Sequence, residues 1–164
     1  MFCGGESFIY IHGERWKTQR DIEVKGVVVC APKNLRLRAC RAERRVGGGY
    51  GCWNYAIAFP EKLTTIVPIS GGGNKNKACN LKPISIWAFH NETDGPVDVS
   101  NSINMINAVN ACPPLKEVKL TIFPDEGHDC WRRVYDQNSP DWLKPGKSGI
   151  AKVDIYSWML SKSK

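Results

Sequence analysis

Apolar residues in this chain gather into short runs separated by glycine, proline and polar turns, and the runs switch between two periods. Phe8-Ile9-Tyr10-Ile11 reads as a buried strand ending at His12-Gly13. Val24 to Ala31, rich in valine and stopped by Pro32, reads as a second. Tyr50 to Phe59 places Trp53, Tyr55, Ala56 and Ala58 at a helical spacing before Pro60. Leu63 to Ile69 predicts a third strand ending in Ser70-Gly71-Gly72-Gly73, and Pro83 to His90 predicts a fourth. From Ser100 to Ala111, the residues Ile103, Met105, Ile106 and Val109 predict a helix with Ser100 or Ser102 as its N-cap. Val118 to Phe123 alternates as a strand up to Pro124, and Ile150 to Leu160 predicts a last helix through Ile155, Trp158, Met159 and Leu160.

Strands alternating with helices predict an α/β architecture around a mostly parallel sheet. In such sheets, ligands and catalytic groups collect at the C-terminal ends of the strands. His12, Asp94 and His128 each follow a strand and fall in that zone.

Size and composition narrow the picture. A chain of 164 residues with 42% hydrophobic content builds one core, so a single domain over 1–164 is expected. It has no apolar run of about 18 residues, the length that a membrane span needs. Its first residues show no basic start followed by an apolar stretch, so no secretory signal is read and a soluble, cytoplasmic protein is the expectation. The net charge of +7 is concentrated in one segment, where Arg36, Arg38, Arg41, Arg44 and Arg45 follow Lys33. No aromatics interleave with these arginines as stacking platforms, so no nucleic-acid partner is expected. Seven cysteines, an odd number without C-x-x-C spacing, argue against a zinc site or a complete disulfide framework. They read as small buried apolar residues, or as one or two disulfides drawn from Cys79, Cys112 and Cys130. No metal and no cofactor is expected.

Two loops carry the chemistry. Phe123-Pro124-Asp125-Glu126-Gly127-His128 sets a histidine in a glycine-containing loop beyond a strand. Phe89-His90-Asn91-Glu92-Thr93-Asp94 sets a carboxylate four residues past a strand-terminal histidine. Alone, His128 reads equally well as a surface-loop histidine, and Asp94 reads better as a turn residue. In order, each after a strand, they read as the base and acid of a triad.

Upstream of both, Gly48-Gly49-Tyr50-Gly51-Cys52-Trp53 resembles the back half of a nucleophile elbow, the strand-to-helix turn G-x-S-x-G of α/β-hydrolases. With Phe59-Pro60-Glu61, Ile66 to Gly73, Trp87 to Asp94 and Tyr10 to Gly13, it makes residues 48–136 similar to the phospholipase/carboxylesterase branch, related to dienelactone hydrolase and some feruloyl esterases. The resemblance implies an α/β-hydrolase fold with a mostly parallel sheet and flanking helices, here without its N-terminal strands. It implies carboxylic ester hydrolysis through a serine acyl-enzyme, with Asp94 and His128 catalytic. His12, Gly13 and the backbone N–H of Gly47 would form the oxyanion hole, and Trp131 would line the acyl or alcohol pocket or join the core. The partner would be a small-molecule ester or its acyl group.

Three departures modify that expectation. Counting back from Tyr50, the nucleophile position is Val46, so the chain is expected to be inactive or impaired; the alternative is a non-catalytic binding or scaffold pseudoenzyme that retains the fold. The strand feeding the elbow should be Leu35 to Arg45, yet its five arginines are costly inside a sheet covered on both faces, and 33–47 reads as irregular. Codons allowed for Arg41-Ala42-Glu43-Arg44-Arg45, read one base later, can encode Gly-Leu-Ser-Val-Gly, so a displaced reading frame is one explanation. Sequencing of the transcript across residues 30–50 tests it. The chain is also short for this family, and residues 142–154 read as a surface insertion in which Gly146-Lys147-Ser148 lacks the upstream glycine of a phosphate loop.

Overall fold

The computed structural model describes residues 10–11, 14–15, 27–30, 48–113, 116–135, 138 and 154–162. Its centre is a four-stranded parallel sheet in the order β3-β4-β5-β6, built from Val27–Cys30, Thr65–Pro68, Ser85–Thr93 and Val118–Glu126. Sequential order with all strands parallel requires a crossover between each pair. Helix α1 (Gly48–Ala58) makes the first and α2 (Ser100–Asn110) the third, while a 3-10 segment over Lys75–Leu81 lies between β4 and β5.

The period of two along each strand divides the core. On β4, Ile66 faces one side and Val67 the other; on β5, Ile86 and Ala88 oppose Phe89. On one face these residues meet Cys52, Trp53, Ala56 and Ile57 of α1 and Met105, Ile106 and Val109 of α2. On the other they meet Val134 and Tyr135 of α3 (Trp131–Tyr135) and Ile155, Trp158 and Met159 of α4 (Ile155–Ser161). Burial on both faces explains why the strands read as nearly unbroken apolar runs.

Several boundaries differ from expectation. Tyr10–Ile11 (β1) does not join the parallel sheet; it pairs antiparallel with Glu14–Arg15 (β2), the two-residue spacing between them being that of a hairpin. The strand beside β4 is Val27–Cys30, paired from Val27↔Thr65 to Cys30↔Pro68, a shorter stretch than the Val24 to Ala31 run. Strand β5 continues past His90 to Thr93, because His90, Asn91 and Thr93 find partners in Ile122, Phe123 and Glu126. Strand β6 runs through Pro124, whose missing N–H is tolerated where no further strand pairs on that side among the described residues. Helix α2 is entered from Val99, with Asp98 Oδ1 accepting the Ser100 N–H at 2.8 Å, so neither Ser100 nor Ser102 caps it by its side chain. Helix α4 begins at Ile155, where Asp154 Oδ1 accepts the N–H groups of Tyr156 and Ser157. The arginine-rich 33–47 segment lies outside the described residues, as does the expected insertion over 142–154 apart from Asp154.

Cys79 and Cys112 form a disulfide that joins the 3-10 segment to the end of α2, with Cα atoms 5.4 Å apart. Cys52 and Cys130 are buried thiols outside that disulfide. Both readings of the cysteines therefore hold, for different residues.

Candidate active site

The exits of β4, β5 and β6 lie side by side, and each delivers one part of the site. Asp94 follows β5 directly, and its side chain is fully buried. Its Oδ1 accepts the Val97 N–H at 2.9 Å, a turn that fixes the carboxylate on its own loop. His128 follows β6 and donates from Nδ1 to Asp94 Oδ2 at 2.7 Å, with about a quarter of its side chain exposed. A carboxylate can only accept, so the proton is on Nδ1, and Nε2 is left to take one.

Backbone geometry aims this histidine. Gly127 sits at φ +85°, a conformation that favours glycine, and its N–H donates to the Thr93 carbonyl at 3.2 Å. Asn91 Nδ2 donates to the Gly127 carbonyl at 2.9 Å, so β5 holds the loop of β6 at two adjacent points. From β4, the Ser70 hydroxyl donates to the His128 carbonyl at 3.1 Å. That commits the hydroxyl proton, so the Cys130 thiol, 3.3 Å away, donates to Ser70 Oγ. Burial pushes this thiol up to about 12, partly opposed by its bond to Ser70. Trp131 lies edge-on to His128 with ring centroids 5.5 Å apart and packs against the α3–α4 core, so it serves the wall of the site and the core together.

The elbow side is represented by the start of α1. A Cβ added to Gly49 would lie 2.2 Å from the Ile69 carbonyl oxygen and 2.8 Å from Gly71 Cα. The first turn of α1 therefore rests directly on the exit of β4, a contact that glycines at both positions permit. Tyr50 adds a hydrogen bond from its hydroxyl to Asn101 Oδ1 at 3.1 Å. Val46, Gly47, His12 and Gly13 lie outside the described residues. The structure thus brings Asp94, His128 and Trp131 together.

Two partners of this pair went unread in the sequence. His90 is fully buried, with Nε2 3.1 Å from Asp94 Oδ2, and Ser70 braces the histidine loop. His90 stood in plain view four residues before Asp94; Ser70 had only its place after a strand to mark it.

The fold is similar to that of solved structures. A thermostable esterase matches at 25% identity with a TM-score of 0.54, covering 71% of this chain and 29% of that one. An acylaminoacyl peptidase from Pyrococcus horikoshii matches at 15% identity with a TM-score of 0.46, covering 69% of this chain and 25% of that one. The chain spans less than a third of the length of either. No protein-family model matches the chain, and no curated protein does.

Proposed function

We propose that this chain, which has the α/β-hydrolase fold, carries the acid–base half of a carboxylic ester hydrolase site and is impaired in the nucleophilic half. The observation that carries this reading is the 2.7 Å bond from His128 Nδ1 to the buried Asp94. It leaves Nε2 poised to accept a proton at the exits of the strands, where this fold does its chemistry. In a complete site the histidine would take the proton of a serine as that serine attacked an ester carbonyl, then return it to the leaving alcohol. Val46 stands where the serine belongs, so no acyl-enzyme forms at that position. What remains for His128 is to draw a proton from water.

Hydrolysis of a chromogenic short-chain acyl ester tests this. The wild-type rate should lie several orders of magnitude below that of a complete triad. His128→Ala should lower the remaining rate by about 10²-fold or more, the general-base contribution. A fluorophosphonate probe should leave the wild type unlabelled, and labelling would reveal a nucleophile outside position 46.

A second reading, a non-catalytic binding or scaffold protein, is favoured by Val46 alone. It requires wild type and His128→Ala to hydrolyse the ester equally slowly.

A further inference from the structure

His90 makes more hydrogen bonds than a core histidine needs, and counting protons assigns their directions. The Ser102 hydroxyl, from α2, lies 2.8 Å from the Gly71 carbonyl, which can only accept, so Ser102 donates to it. Ser102 has one proton. Its second bond, 2.7 Å to His90 Nδ1, must then take its proton from the imidazole. On the other side of the ring, Nε2 lies 2.9 Å from the Val97 carbonyl and 3.1 Å from Asp94 Oδ2, both acceptors. Nε2 is therefore a donor as well.

We infer that His90 is a positioning residue for the acid–base pair, a doubly donating imidazole that clamps the same Asp94 oxygen used by His128. This inference rests on the reading of Asp94 and His128 as that pair. With protons on both nitrogens the ring is cationic, and its charge is met where it is buried. Asp94 carries the opposing carboxylate, and the exposed Asp98 at the entry to α2 adds a weaker attraction from the surface. Asp98 is held below the ordinary carboxylate range chiefly by the Ser100 hydroxyl and N–H, with attraction to His90 a smaller contribution. His128, on the β6 side, is the other titratable group on the same oxygen. A charge sealed from water is tolerable only in such company.

The clamp does two things for the site. It keeps Oδ2 in place while His128 gains and loses a proton, so the carboxylate need not swing. It also ties the acid loop, through Ser102 and Gly71, to the spot where α1 rests on β4. The acid and the start of the elbow helix are thereby held in one network.

Nitrogen-15 NMR of the full chain, labelled at its three histidines, tests this without any turnover. Spectra of His90→Gln and His128→Gln assign the signals. In the wild type at neutral pH, both ring nitrogens of His90 should carry slowly exchanging protons. Ser102→Ala should lose the Nδ1 proton signal to exchange and keep the Nε2 one. His90→Gln, with its fold verified by circular dichroism, should lose the sharp downfield Nδ1 proton of His128. A bare nitrogen on His90 in the wild type overturns the inference, because Ser102 would then be donating to a neutral ring. An unchanged His128 signal in folded His90→Gln overturns it too, leaving His90 a packing residue. If His90→Gln does not fold, the wild-type and Ser102→Ala spectra decide. The proposed ester hydrolysis fails or stands on its own assay, since none of these readouts depends on it.

Discussion

At the residue scale, the aim of the candidate base depends on two backbone conformations that side chains ordinarily avoid. Gly127 is at φ +85° and Ser70 at φ +49°. At Gly127 a Cβ would meet nothing nearer than 3.8 Å, so the demand for glycine is conformational and not steric. Gly127→Ala should cost about 1–3 kcal/mol, read as a lower denaturant midpoint, and should reduce any His128-dependent ester hydrolysis with it. Ser70 keeps a side chain in spite of the same penalty, because its hydroxyl holds the His128 carbonyl. Ser70→Gly relieves the strain and removes the hydroxyl together. Its net stability change should therefore be small, while the site loosens, a separation that hydrogen exchange at His128 would detect.

At the scale of elements, three attachments hold the layers in place. The first is the α1–β4 contact. Gly71→Ala would set a Cβ 2.5 Å from the Gly49 carbonyl carbon, with backbone on both sides and nothing flexible to yield. The expected loss is about 1–3 kcal/mol in chemical denaturation. The second is Glu117, just before β6, which receives Lys119, Lys162 and the Trp158 indole N–H and so fastens α4 to the sheet. Those hydrogen bonds, from Lys119 first, lower its carboxyl to about 2 from 4.5. A lowered value means stability that is present above about 4.5 and lost as the pH falls toward 2. The group is a third exposed, so solvent screening keeps the contribution below about 1 kcal/mol. Glu117→Gln should flatten that part of the acid limb, measured as the denaturation midpoint between pH 5 and pH 2. The third is the Cys79–Cys112 disulfide, which closes a loop of 33 residues. Its removal by Cys79→Ser with Cys112→Ser should cost about 3–4 kcal/mol on the chain-entropy account.

At the scale of the whole molecule, the two-faced parallel sheet was largely legible from its apolar runs, since burial on both sides imposes a pattern that no local preference imitates. The meeting of Asp94 and His128 was legible as well: both lie in loops that a parallel sheet delivers to one end, and His128 Nδ1 reaches Asp94 Oδ2. Ends of elements were less legible. Strand β5 outran His90 because its last residues are polar and are kept extended only by β6, a tertiary effect. Helix α3, five residues long, is too short to display a period. The hairpin of Tyr10–Ile11 with Glu14–Arg15 was missed because an apolar pair beside a glycine reads equally as the end of a longer strand. The roles of His90 and Ser102 could not be read at all from spacing. They arise where β4, β5 and α2 converge, and only proton counting across three elements exposes them.

The thiol of Cys130 lies beneath the histidine loop, sealed from water and bonded to the serine that holds that loop. A thiol in that position is chemically silent while the loop is closed, since alkylating reagents need both access and a thiolate. Cys130 is therefore a built-in clock. Its modification rate by iodoacetamide, followed peptide by peptide in a mass spectrometer, times how often the roof over the Asp94–His128 pair lifts. Ser70→Gly should quicken that clock while the global denaturation midpoint barely moves.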